Sequence, residues 1–78
     1  MIFAVFLCTS ILSRPDLDAC NQIGLGPFRS EADCQTELLR NRQIGIDNGD
    51  PIEFEHGILY HMPARQWLVC KHLSLWQN

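Results

Sequence analysis

"MIFAVFLCTSIL", Met1 to Leu12, is the stretch whose reading decides how this chain folds. It has the apolar density of a secretion signal and the residue types of a β-strand, and the two readings lead to different molecules. A signal peptide carries a basic stretch before its apolar core and a small-x-small cleavage site after it. Here the first basic residue is Arg14, beyond the apolar run, and no Ala-x-Ala follows. "LDAC", Leu17 to Cys20, resembles a lipoprotein cleavage box, but "SRPD" separates it from the apolar run and Asp18 fits it poorly. Ile2, Phe3, Val5, Phe6, Thr9 and Ile11 are the β-branched and aromatic types that a pleated surface favours. Both alternating faces are apolar, Ile2, Ala4, Phe6 and Cys8 against Phe3, Val5, Leu7 and Ile11, as in a strand covered on both sides. The expectation is a retained strand.

Outward from this strand the chain punctuates itself. Pro15 fixes φ and Asp16 can bond its own backbone, so "SRPD" reads as a turn. "LDACNQIGLGP", Leu17 to Pro27, reads as a loop ending in two glycines. "SEADCQTELLRNRQIG", Ser30 to Gly45, reads as a helix with Ser30 as its N-cap and Asp33 three residues on. Glu31 favours the positive end of the dipole, Arg40 and Arg42 suit the last turns, and Gly45 supplies the stop. Ala32, Cys34, Leu38 and Leu39 form its expected buried stripe, enough for one side of a sheet. "DNGDP", Asp47 to Pro51, is a turn signal. Ile52 and Phe54 then alternate with Glu53 and Glu55, a half-exposed strand that turns at His56–Gly57 into Ile58 to Met62. "PAR" makes a further turn into a last strand, Gln66 to Leu73.

Strand, helix, strand, strand, strand implies an α+β fold: a small antiparallel sheet of three to four strands with one helix packed across one face. The first strand is expected to pair centrally with the last. Phe6, Leu38, Leu39, Trp67 or Leu68, and Val69 form the expected core. The 78 residues, 46% of them hydrophobic, make a single domain over residues 1–78. One helix leaves the second sheet face open, so the tail "LSLWQN" folds back with Leu75 and Trp76, or a homodimer or partner covers it. No apolar run reaches the ~18 residues needed to span a bilayer.

The chemistry-bearing residues do not assemble into a catalytic or metal pattern. Cys8, Cys20, Cys34 and Cys70 lie too far apart in sequence for a C-x2-4-C zinc site. Folding the helix onto the sheet favours a Cys34–Cys70 pairing, which leaves Cys8 to reach Cys20. The alternative is four free thiols packed as small hydrophobes, and a retained Met1 to Leu12 in the cytoplasm of a host cell favours that state. His56, His61 and His72 form no compact pair of pairs, and no flanking motif marks an activated cysteine. No metal, no cofactor and no catalytic residue is expected, and the chain is read as a non-enzyme.

Charge placement says more. All nine acidic residues lie between Asp16 and Glu55, and Asp47, Asp50, Glu53 and Glu55 follow one another with no base among them. With Glu31, Asp33 and Glu37 from the helix as neighbours, they form a candidate acidic surface for a partner with a basic site. The net charge of −3 and six scattered bases lack the footprint of direct nucleic-acid binding.

The arrangement "GPFRSEADCQTELLR" followed by "QWLVCKH" resembles a type of short protein found in phage, prophage and bacterial genomes. In these an apolar opening precedes a helix starting Phe-x-Ser-x-x-x-Cys, and a late strand holds a second cysteine. Some begin with a signal peptide, which implies the alternative of a secreted or periplasmic, disulfide-stabilised protein. In size and acidic charge the chain is also similar to phage anti-CRISPR proteins. That similarity implies a phage-type inhibitor that blocks a host nucleic-acid-binding complex, such as a CRISPR effector, through the acidic surface.

Overall fold

The β-branched opening becomes the middle of a sheet. The structure, a computed structural model, describes residues 2–73, and its elements run β1 (Ile2–Ile11), β2 (Arg14–Phe28), α1 (Glu31–Asp47), β3 (Phe54–Leu59) and β4 (Met62–Leu73). β1 pairs with β4 along its whole length, from Ile2 opposite Leu73 to Ile11 opposite Ala64, and with β2 on its other side. With β3 outside β4 the order is β2-β1-β4-β3, antiparallel throughout. One helix packs on one face of this open sheet, which is the α+β arrangement the residue pattern implies. The Cα extents of 37 × 35 × 14 Å are those of a thin, two-layered body. The expectation for Leu75 and Trp76 lies outside the described residues.

Period-two alternation sorts the side chains. Val5 is fully buried and clusters with Cys34, Leu38 and Leu68, while Phe3, Leu7, Ile23, Phe28, Ile52 and Cys70 pack around them. This is the face under the helix. Phe6, Trp67 and Val69 lie on the opposite face and are only half-buried, so they are not the core that the sequence reading made them. Leu39 is 55% exposed and Ala32 is exposed as well. The inward helix positions are Cys34, Glu37, Leu38 and Gly45, at helical spacing, and the residues flanking that stripe turn to solvent.

Five local readings change, beginning with "SRPD": the chain turns at Leu12–Ser13, and Arg14 to Asp16 already open β2, with Arg14 opposite Ile11. Leu17 to Pro27 is no loop but most of the 15-residue β2. Asn, Gln, Gly and Pro are poor strand formers, yet Ala19, Cys20, Asn21, Gln22 and Ile23 each stand opposite a β1 residue, and that ladder overrides propensity. As an edge strand, β2 also tolerates Pro15 and the cis Gly26–Pro27 peptide. α1 passes through Gly45 to Asp47, because Gly45 serves close packing: a Cβ there would lie 3.0 Å from the Asp50 carbonyl oxygen. The left-handed residue after the helix is Gly49, φ +71, and Gly49 N–H donates to the Ile46 carbonyl. Arg40 and Arg42 therefore stand before the last turn.

His56–Gly57 is not a turn either. β3 runs through it with a shift of register, and the chain reverses at Tyr60–His61, whose φ values are +53 and +65. Two left-handed residues make the two-residue hairpin turn whose usual sequence signal is Asn-Gly, which is why it is missed here. Gly57 instead leaves space for the Phe54 ring, 2.6 Å from where a Cβ would stand. Pro63 to Arg65 is likewise no turn but the opening of β4, with Pro63 near the strand's start and Ala64 fully buried.

Both cysteine pairs are bridged. Cys8 stands directly opposite Cys20 in the β1–β2 register, and the helix carries Cys34 onto Cys70 of β4. The free-thiol state is the reading that yields here, because the fold sets each pair side by side.

Candidate acidic interface

The seven acidic residues proposed from sequence separate into three groups once folded. Glu37 is not at the surface. It is 7% exposed, pointing from the inward side of α1 towards the last part of β2. Arg40 donates to it through two nitrogens, each at 2.7 Å, and the Leu25 backbone N–H donates at 3.1 Å. The Arg40 hydrogen bonds, then the Leu25 N–H, outweigh burial and bring the carboxyl from 4.5 down to about 2. Gly24, φ +73, passes so close that a Cβ there would lie 2.8 Å from Glu37 Oε2. Glu37 therefore fastens helix to edge strand and is withdrawn from the candidate interface.

Glu53 is engaged in a similar way. Arg42 Nε donates to Oε1 at 2.5 Å, and the Leu68 backbone N–H donates to Oε2 at 3.0 Å. The paired length of β3 starts at Phe54, opposite Gln66, so beyond it this carboxylate satisfies a β4 donor that no β3 carbonyl reaches. Burial opposes the charge, yet Arg42 and the Leu68 N–H together hold the carboxyl below its ordinary value. Glu53 links helix, loop and sheet.

Glu31 and Asp33 occupy the first turn of α1, where Ser30 Oγ accepts from the Asp33 backbone N–H. Asp47 is at the other end of that 17-residue helix, about 24 Å away at 1.5 Å per residue. They are not neighbours of the turn. What remains together in sequence and exposed is Asp47, Asp50 and Glu55, at the helix end, in the following loop and on the edge strand β3. Asp47 accepts from Gln43 Nε2 at 2.7 Å, an exposed pair on one helix face.

Two further features have no counterpart in the acidic pattern. Across the helix-free face, Arg65 stacks 4.3 Å over Trp67, and Lys71 reaches over Phe6. Alternation along "ARQWLVCK" places these bases and aromatics on one face, a signal legible in the sequence but overshadowed by the acid run. On the helix side, the part of the sheet that α1 leaves open forms a groove of about 380 Å³, bounded by Leu7, Thr9, Ile11, Tyr60, Met62 and Gln66 among others. In it Gln66 Nε2 donates to Thr9 Oγ1 at 2.9 Å.

Among the described residues, no three of His, Cys, Asp and Glu converge as metal ligands would. Among the same described residues, no helix is long and apolar enough to cross a membrane. No family model matches the chain, and no curated protein or solved structure compared with it does.

Proposed function

We propose that the chain is a non-enzymatic binding protein of a disulfide-forming compartment, secreted or periplasmic, which presents a rigid thin sheet to a protein partner. What supports this reading above all is the bridging of all four cysteines. Bonds of this kind persist in oxidising compartments and are rare in the cytosol, and a domain this small gains from such staples. β1 is one of the two inner strands and holds Cys8, so the apolar opening belongs to the folded protein in this reading. The experiment is alkylation trapping in the native host, followed by intact mass. A population without alkylatable thiols in the extracytoplasmic fraction is the expected result. Four alkylated cysteines in the cytoplasm would overturn it.

A second reading is supported by the exposure of Asp47, Asp50 and Glu55. In it the protein is a cytoplasmic, phage-type inhibitor of anti-CRISPR character that covers a basic, nucleic-acid-holding site on a host complex. Each such charge contributes little alone and acts mainly on the association rate. Reversing all three to Lys should abolish inhibition of DNA loading while leaving the unfolding midpoint near that of wild type. Equal potency of the two proteins removes the acidic contact and leaves the groove beside Thr9 and Gln66 as the better contact.

A further inference from the structure

Each bridge joins a fully buried cysteine to a half-buried one, and the two differ in their surroundings. Cys34 is fully buried between helix and sheet, and its half-buried partner Cys70 lies on β4, an inner strand paired on both sides. In the other pair Cys8 is 1% exposed, but Cys20 is half-buried on β2, whose outer side pairs with no strand among the described residues. Lys71 Nζ stands 3.5 Å from Cys20 Sγ. Thiol–disulfide exchange begins with attack by a thiolate on one sulfur, and access decides which sulfur is attacked. The open edge admits a thiolate to Cys20 Sγ and withholds Cys8 Sγ. A thiolate arriving there meets an ammonium, so added negative charge on the reagent is favoured.

We infer that Cys20 is a thiol-exchange site at which small anionic thiols form a mixed disulfide, guided by Lys71. In the step, the reagent sulfur bonds to Cys20 Sγ and the Cys20–Cys8 bond breaks. The electron pair leaves on Cys8 Sγ, which takes a proton from water. The reagent sulfur is oxidised to the disulfide level as Cys8 is reduced to a thiol. Attack by Cys8 on the adduct reverses the step and releases the reagent. Cys34–Cys70, set between the helix and the inner strand β4 and away from the open edge, holds the fold together meanwhile. The inference rests on this bridge alone, and does not depend on which partner the protein binds.

The test treats the bridged protein briefly with 2-mercaptoethanesulfonate or with cysteamine, whose thiolates differ in net charge by two. Acid quenching, alkylation and peptide mass mapping then locate every sulfur. The expected products carry the reagent on Cys20 and the alkyl group on Cys8, with Cys34–Cys70 intact. Lys71→Met should slow the sulfonate thiol about fivefold, as loss of one charge contact near 4 Å in water implies, and leave cysteamine nearly unaffected. Lys71→Arg should restore the rate. Should Lys71→Met fail to fold, salt decides on the wild type: raising ionic strength from about 0.01 to 1 M should slow the sulfonate thiol alone. An adduct on Cys8, first opening of Cys34–Cys70, or equal response of both reagents to Lys71→Met or to salt would overturn the inference.

Discussion

Glu37→Gln removes one charge from the junction of α1 and β2 and leaves a side chain of the same shape. In the wild type the carboxylate holds both Arg40 nitrogens and the Leu25 N–H, and its carboxyl is held at about 2 rather than 4.5. By linkage, that depression corresponds to about 3 kcal/mol of stability when the group is ionised in both states. The Arg40 side chain is 51% exposed, so solvent screens the pair, and about 1–2 kcal/mol is the net effect expected. The sign follows from the direction of the shift: the contribution is complete above about 4.5 and is lost as pH falls from there towards about 2. Urea unfolding of both proteins between pH 7 and pH 2, with bridges intact, provides the comparison. Glu37→Gln should be less stable by about 1–2 kcal/mol at pH 7, a drop of roughly 4–16 °C in Tm for a domain of this size. The two curves should converge near pH 2, once the wild-type carboxyl is protonated as well. A constant gap across the range would refute the reasoning, since it would mean that shape, and not ionisation, carries the contribution.

The remaining predictions concern packing and the chain's constraints. Leu38→Ala, inside the core with Val5 and Leu68, should lower stability by about 2–5 kcal/mol in denaturant unfolding, whereas Leu39→Ala on the exposed side should change it by less than about 0.5 kcal/mol. Opening Cys34–Cys70 by paired Ser substitution should cost about 4 kcal/mol and opening Cys8–Cys20 about 3 kcal/mol, from the sequence separations of 36 and 12, as read by the same unfolding assay. Gly24→Ala should destabilise by at least about 1 kcal/mol, because its φ is +73 and the new methyl meets Glu37 and Asn41; a neutral result would mean that β2 yields at that point.

Much of the acidic surface could not be read from the sequence, and Glu37 and Glu53 show why. Each looks like a solvated acid, because a linear pattern records charge but not the donors that a fold brings to it. Leu25 lies 12 residues before Glu37, and Leu68 lies 15 after Glu53; both N–H groups arrive only when the sheet forms. Asp47 ends the helix, Asp50 lies in the loop after it and Glu55 projects from the edge strand β3, so all three stay exposed, and the turn between them is a local signal.

The sequence by itself determined the elements whose causes are local. Ser30 with Asp33 starts the helix, and its cap bond is made between residues three apart. The β-branched opening makes a strand, and its two apolar faces require a central place. Only tertiary structure decided the rest. Leu17 to Pro27 is extended because β1 supplies a ladder that its own residues do not request. Gly45 stays helical because Asp50 and Ile52 pack against it, and the hairpin closes at Tyr60–His61 because the β3–β4 pairing forces two L-residues into left-handed backbone. In each case, pairing and burial summed over many residues outweigh a propensity of about 1 kcal/mol at one position, and such sums exist only when distant segments meet.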